Sequence, residues 1–432
     1  MAPPEYTGRG GPPQQARLLV NRRLTAEGHF QDVRHLEFDV DGIPGGADYG
    51  PGDVLYVHPS NDAKVVERLA ARMGLDLDQV VQIRPSAGDG DSLVQSLSSA
   101  FMPPVSTIRL LLTEVLDITG TPTRSFFARL SLFAGDAGEK AKLEKLASSA
   151  GADLLHEYVT EEKRSYVDVL GDFPSCKVPQ ERLLEIVPRL RPRAFSIASS
   201  SLETPSKVHI CMAVVLFRTP KNELRTGVGT SWLASLTAGE AQVPLSIRRG
   251  TFKLPRSPYD KIIMVGPGTG IAPMRSVILE RRRQRADIGA DGGEDMSGRS
   301  FAEAARTSRD ILFFGCRFRE KDFLYEDEWA SLSASGEFAV ETAFSRSDPD
   351  GTGSRVYVQH RIREHADVIA ALLVQQGANI LVSGSARQMP QDVREAFRDV
   401  LAGHPKVGSK AGAEKFLNTM DRQGRYVVEA WD

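Results

Sequence analysis

The sequence predicts a multidomain β plus α/β chain: an antiparallel β-barrel broken by a helical insertion, followed by a doubly wound parallel sheet. Three patterns carry this prediction. Alternating apolar and polar segments with turn residues between them occur near the start and again before residue 253. The stretch separating them places apolar residues at helical spacing, and beyond 254 apolar strands alternate with helical patterns. At 432 residues the chain exceeds one compact core and suits two or three domains.

The elements follow in order. Residues 1–16 are rich in Pro and Gly and read as a linker. They lack the apolar core of a signal peptide, which gives the expectation of a cytosolic fragment. Residues 17–59 open the barrel: 35–40 alternates with period two, and the turn at Gly50-Pro51-Gly52 leads into a strand at 54–57. After Pro59, residues Val66, Leu69, Ala70 and Met73 fall at helical spacing behind an Asn61 or Asp62 cap. Helical patches at 108–116, 125–133, 139–147 and 180–187 extend this insertion over 60–190. Strands at 193–197, 208–217 and 242–248 complete the barrel within 191–253. From 254 to 432, strands at 261–265, 311–314 and 380–382 precede helices at 274–283, 327–332 and 391–401. The Gly-, Asp- and Ser-rich stretch 287–309 reads as a surface loop.

Composition narrows the function classes. A formal net charge of −2 argues against a nucleic-acid partner. The three cysteines (Cys176, Cys211 and Cys316) lie far apart, which suggests neither a disulfide framework nor a CxxC metal site and fits a reducing compartment. Cys211 and Cys316 sit in apolar strand contexts where a thiol packs as a small hydrophobe. Neither His209 nor His360 has the spacing of a metal site, so no metal is expected. No stretch of about 18 apolar residues suggests a membrane span.

Two constellations carry chemistry. A strand ending at Val265 leads into Gly266-Pro267-Gly268-Thr269-Gly270 and then a helix containing Pro273. Glycines let main-chain N–H groups approach a phosphate, and the helix start adds positive potential. Downstream, Ser345, Arg346, Arg355, Tyr357 and Gln359 offer a guanidinium fork and hydroxyls to a second phosphate. On the residues alone, the first reads equally as a structural turn and the second more readily as a solvated loop.

The segment Arg191-Pro192-Arg193-Ala194-Phe195-Ser196-Ile197-Ala198-Ser199-Ser200 resembles the FAD motif of the ferredoxin–NADP reductase superfamily. The resemblance implies that Arg193 pairs the FAD pyrophosphate, that Phe195 packs on the isoalloxazine in place of the usual tyrosine, and that Ser196 lies near flavin N5. Further motifs follow in family order. Cys211, Ala213 and Val214 stand on the strand expected along the flavin. Gly227, Val228, Gly229, Thr230 and Ser231 match the second pyrophosphate motif. Gly266, Gly268, Thr269, Gly270 and Pro273 match the NADPH pyrophosphate loop. Cys316, Arg317, Met389 and Asp392 join the implied nucleotide site, with Ser345, Arg346, Arg355, Tyr357 and Gln359 at the 2′-phosphate. The barrel is therefore an expected FAD-binding domain and the parallel sheet an expected NADPH-binding domain.

The helical insertion is similar to the connecting domain of diflavin reductases, and the flavin motif to the branch that serves cytosolic iron–sulfur protein assembly. This resemblance implies hydride transfer from NADPH to FAD, then electrons to an FMN domain belonging to the full-length protein and on to an anamorsin-type iron–sulfur protein. A cytoplasmic monomer without membrane or nucleic-acid partners is expected. Ser196 and Ser383 would line the hydride path, with Ser383 where cytochrome-reducing relatives carry cysteine. Glu429 would be the acidic partner, and the Trp431 indole would shield the flavin face. Two alternatives are the matching half of a cytochrome or sulfite reductase, which would carry Tyr and Cys in place of Phe195 and Ser383, and a docking module with little activity.

Overall fold

The computed structural model describes residues 13–46, 48–83, 105–250, 252, 254–255, 257–288, 300–334, 336, 338–347 and 355–431. The barrel opens with β1 (Gln14–Arg23), β2 (Val33–Asp39) and β3 (Val54–Val57), and the insertion carries a short pair, β4 (Val80–Gln82) and β5 (Val105–Thr107). The barrel resumes with β6 (Arg193–Ser196) and β7 (Lys207–Ala213), a hairpin of β8 (Leu216–Arg218) and β9 (Leu224–Thr226), and β10 (Gln242–Arg248). Its antiparallel order is β6-β3-β10-β1-β2-β7. The two ends meet through an Ile197–Ile210 bridge and an Ala198 N–H donated to the His209 carbonyl at 2.8 Å.

Alternation divides the barrel wall. Leu36, Phe38, Val208, Ile210 and Met212 fill the interior. Val33 and Cys211 point the other way and join the core of the following domain. Two expectations are corrected here. The expected linker 1–16 ends early, because Gln14, Gln15 and Ala16 already pair with β10; residues 1–12 lie outside the described part. The strand expected over 208–217 is two elements, since the chain leaves β7 after Ala213 to form the hairpin.

The insertion packs around Leu112, Phe126, Phe127, Leu130 and Phe173. Asp62 caps the helix Ala63–Met73 by accepting the Lys64 N–H at 2.9 Å. Asn61 instead clamps the carbonyls of Leu112 and Leu116, at 2.7 and 2.8 Å. The β4–β5 pair and the helix Tyr166–Asp172, capped by a Ser165–Asp168 box, lie within a segment whose helical patches marked neither.

The last domain is a parallel sheet of β11 (Ile262–Val265), β12 (Asp310–Cys316), β13 (Phe338–Phe344), β14 (Asn379–Ser385) and β15 (Tyr426–Trp431). The order β13-β12-β11-β14-β15 places the first strand at the centre, and apolar helices cover both faces. Within the expected surface loop 287–309, Phe301–Thr307 is a helix held by a Ser300–Glu303 capping box, which corrects that reading; residues 289–299 lie outside the described part. No helix among the described residues is long and apolar enough to cross a membrane.

The helix Ile271–Asp287 is fixed at the base of the sheet by charge. Arg281 and Arg285 reach Asp310 at 2.7 and 2.8 Å, with all three side chains at most 2% exposed. Removing one partner of such a group strands an uncompensated charge. Asp310→Asn is therefore expected to cost about 3–5 kcal/mol of stability, read as a lower denaturation midpoint. A loss below about 1 kcal/mol, the scale of an exposed pair, would show that the guanidiniums are satisfied without it.

Candidate active site

All five parallel strands bring their C-terminal ends to one edge, and most nucleotide-site expectations lie there. Between β11 and β14 the strand order reverses, which leaves a crevice outside the carboxyl ends of both. The glycine loop fills its floor. Gly268 has φ of +58°, in the left-handed region that glycine adopts freely. At Gly270 a Cβ would stand 2.2 Å from the Ser383 carbonyl oxygen, so loop and β14 can touch only because that atom is missing. Thr269 lies in the tight turn between these glycines, and Pro273 is buried in the first turn of the helix that follows. The loop therefore presents main-chain N–H groups and a 17-residue helix start to the crevice.

A second helix start faces the barrel strand β6. Gly227 caps the helix Val228–Ser235, whose first turn holds Gly229, Thr230 and Ser231. A Cβ on Gly229 would sit 2.7 Å from Arg193 Cγ, so the bare glycine admits the arginine stem against the helix. Burial lowers the Arg193 pKa, with Asp117 opposing the shift. Arg193 and the glycine motif, 34 positions apart in sequence, thus form one cationic cradle. The Thr230 hydroxyl accepts from Val215 N–H at 3.0 Å and donates to the Gly227 carbonyl at 3.3 Å. The backbone amides are left to face an anion.

The two domains meet at the residues that the resemblance places along a hydride path. Ser196, on β6, donates to Glu429 Oε1 on β15 at 3.2 Å. Register places Glu429 beside Ser383 and Trp431 beside Ser385 on adjacent parallel strands. Ser383 is 0% exposed and its Oγ has no hydrogen-bond partner among the described residues; Glu429 Oε2 is likewise buried and without a partner among them. Leaving such groups unpaired costs about 1–3 kcal/mol each. A polar ligand entering the crevice finds them available. Burial raises the Glu429 pKa above the ordinary glutamate value of 4.5, with the Ser196 hydrogen bond opposing it.

The other expected residues spread along the same edge. Ser345 and Arg346 follow β13 and bond the carbonyls of Cys316 and Arg317 through their N–H groups, at 2.9 and 2.8 Å. Arg317 lies over the Phe30 ring at 4.1 Å, bridging to the barrel. Tyr357 precedes the short helix Val358–Glu364, and Gln359 donates to Asp392 at 3.3 Å. Met389 begins the helix Met389–Ala402. Arg355 is exposed, just after residues 348–354, which lie outside the described part. Phe195 is half-buried on β6, and Ala194 is exposed. Val214 donates its N–H to the Asp32 carbonyl, fixing the end of β7 to the barrel.

Burial pushes the Cys211 thiol up to about 12, and burial with Asp322 nearby raises the Cys316 thiol as well. The Cys211 side chain turns into the interdomain core, so only its backbone lies on the barrel strand.

Sequence reasoning missed the seam that joins the domains. Arg275 donates to the Ala198 carbonyl at 2.6 Å and pairs with Glu328 at 2.9 Å, while the Ser276 hydroxyl donates to the Ser199 carbonyl at 2.6 Å. Ser200 reaches Glu280 at 2.5 Å and Tyr49 meets Ser199 at 2.8 Å. The signal was the serine pair Ser199-Ser200 at the end of the flavin motif, opposite polar positions on an otherwise apolar helix start.

An FAD binding domain model matches residues 11–232, and an oxidoreductase NAD-binding domain model matches residues 264–395. The chain is 38% identical over 423 residues to the NADPH-dependent diflavin oxidoreductase 1 of Danio rerio, covering 97% of this chain and 65% of that protein. The protein of that name from Arabidopsis thaliana is 36% identical over 424 residues, covering 96% of this chain and 64% of the relative. The NADPH–cytochrome P450 reductase of Oryctolagus cuniculus is 34% identical over 429 residues, covering 97% and 58%. The chain thus spans less than two thirds of the length of these relatives.

The residues present fit both groups: two glycine-based anion cradles, and unpaired polar atoms between them. Gly229→Ala is expected to push Arg193 off the helix start and weaken FAD binding about tenfold, roughly 1.4 kcal/mol. Flavin fluorescence on dilution reads this, and unchanged retention would remove Arg193 from the cradle. For Glu429 the sign follows from its raised pKa: the folded state holds the proton more tightly, so stability is lost as pH rises from below 4.5 through the raised value. Glu429→Gln is expected to raise the melting temperature at neutral pH and to flatten that slope. An offset from the parent that is equal at all pH values would contradict the assignment.

Proposed function

The chain belongs to the flavoprotein oxidoreductase family of the NADPH-dependent diflavin oxidoreductases, in which an FAD-binding domain precedes a nucleotide-binding domain, and from that premise we propose that it is the electron-entry half of such an enzyme. In this reading it takes hydride from NADPH and passes electrons through an FMN domain to an anamorsin-type iron–sulfur protein in the cytoplasm. The observation that carries the entry reaction is the Ser196–Glu429 contact at the mouth of the nucleotide crevice, with Ser383 buried beside it.

Bound FAD would supply a hydride acceptor able to release electrons singly. The chain's own residues do the holding. Arg193 and the amides at Val228–Thr230 bind its pyrophosphate, and Phe195 offers an aromatic face. The Gly266–Gly270 loop binds the NADPH pyrophosphate, while Ser345, Arg346, Arg355 and Tyr357 hold the 2′-phosphate. Ser196 is oriented by Glu429, whose carboxyl oxygen accepts its hydroxyl. Ser383 offers an uncommitted hydroxyl to the nicotinamide side. Trp431, at the end of the edge strand, closes the crevice and moves aside when nicotinamide enters.

An anaerobic titration tests the reading. The protein is expected to retain FAD and to be bleached by NADPH, and much less by NADH. Failure to retain FAD under native conditions, or equal bleaching by both nucleotides, would overturn it. Small acceptors such as ferricyanide are expected to be reduced. Trp431→Ala is expected to shift the NADPH/NADH preference in kcat/KM by about tenfold, roughly 1.4 kcal/mol; identical kinetics with both nucleotides would remove Trp431 from the nicotinamide path.

A further inference from the structure

The outer face of the β2–β7 pair carries a polar cluster that the hydride path does not use. His35 and Glu37 are two residues apart on β2, so their side chains share a face. Across the antiparallel ladder His35 faces Cys211 and Glu37 faces His209. The face is covered by the nucleotide domain, leaving His35 4% and His209 6% exposed. One ligand atom from each of His35, Glu37 and His209 lies within 4.8 Å of the others. His35 Nε2 is 3.2 Å from Glu37 Oε1, and His209 Nε2 is 3.6 Å from Glu37 Oε2.

Neither ring nitrogen of His209 has a hydrogen-bond partner among the described residues. A buried imidazole with two idle nitrogens is costly unless something else satisfies it. His35 is held differently. Its Nδ1 meets the Tyr325 hydroxyl at 3.0 Å, which fixes the ring with Nε2 toward the cluster. Tyr325 supports this from a left-handed backbone, φ 61°, that a bulky residue rarely adopts.

We propose that His35, Glu37 and His209 form a site for a borderline divalent transition-metal ion such as Zn2+, at the seam between the barrel and the nucleotide domain. Two imidazoles and a carboxylate are a ligand set suited to Zn2+, with a fourth position left for water. Closing the donors onto one ion needs only small side-chain rotations, since tetrahedral ligands at Zn2+ distances stand about 3.3 Å apart. One group competes: the Lys207 ammonium sits 3.1 Å from Glu37 Oε2. Its side chain is 45% exposed, so it swings into solvent when the ion enters. Through the Tyr325 hydroxyl the bound ion also braces the nucleotide domain against the barrel.

The test uses the flavin-loaded chain, dialysed against Zn2+ and then against metal-free buffer, with metal content read by elemental analysis. Affinity is read by competition with a chelating dye. One Zn2+ per chain is expected. His209→Gln is expected to weaken binding by more than about a hundredfold, since removing even a supporting partner costs 10–100-fold. Lys207→Met, on an exposed side chain that the fold does not need, is expected to tighten binding. No retained Zn2+ overturns the proposal, as does equal retention by His209→Gln, or Lys207→Met leaving affinity unchanged or weaker. Flavin content and NADPH bleaching are measured in parallel, so failure of the metal site is distinguishable from failure of the reductase reading.

Discussion

The arrangement depends on one grip: the helix that leaves the glycine loop holds the barrel by its main chain. Arg275 and Ser276 donate to consecutive carbonyls, Ala198 and Ser199, at the end of the flavin motif. Hydrogen bonds from a charged donor contribute about 1.5–3 kcal/mol, and Arg275 is also paired with Glu328 and stacked at 5.0 Å on Tyr325. Both anion cradles therefore belong to one rigid path. It runs from the β6 motif through Ala198 to Arg275, and back along the helix to Gly270. Moving either domain would break bonds within a few residues of each cradle.

That grip explains why the missing Cβ atoms matter. One glycine in each cradle has a neighbour so close that a methyl group would displace it: Arg193 at Gly229, and the Ser383 carbonyl at Gly270. The glycines thus do two things at once. They bare amides to an anion, and they let a second element approach that places a functional group. At Gly229 that group is a guanidinium; at Gly270 it is the β14 end carrying Ser383.

The regular fold was legible because its signals are local. Period-two alternation and turn residues marked β2, β3 and β10, and apolar runs marked β11, β12 and β14. β13 and β15 escaped because Glu341-Thr342 and Glu429 interrupt their apolar runs. The glycine motifs were legible because backbone geometry demands glycine at fixed offsets. The seam was not, since Arg275, Ala198, His35 and Tyr325 come from distant segments and meet through packing. The same holds for the His35–Glu37–His209 group. Spacing along the chain gives His209 no partner, and only the β2–β7 register supplies two.

The resemblance assigned roles to Ser196, Ser383 and Glu429 without saying why such residues tolerate burial. The structure supplies a physical reason. Ser383 Oγ and Glu429 Oε2 are polar atoms without internal partners, and the raised carboxyl pKa records the same shortage as a titration shift. Two other buried polar groups are satisfied by contrast: Asp310 has two arginines, and Asn61 has two carbonyls. Unpaired polarity of this kind is expected where strain is kept for function. Its location, at the contact between β6 and β15 and beside the crevice of the parallel sheet, is where the proposed hydride transfer would cross from one domain's ligand to the other's.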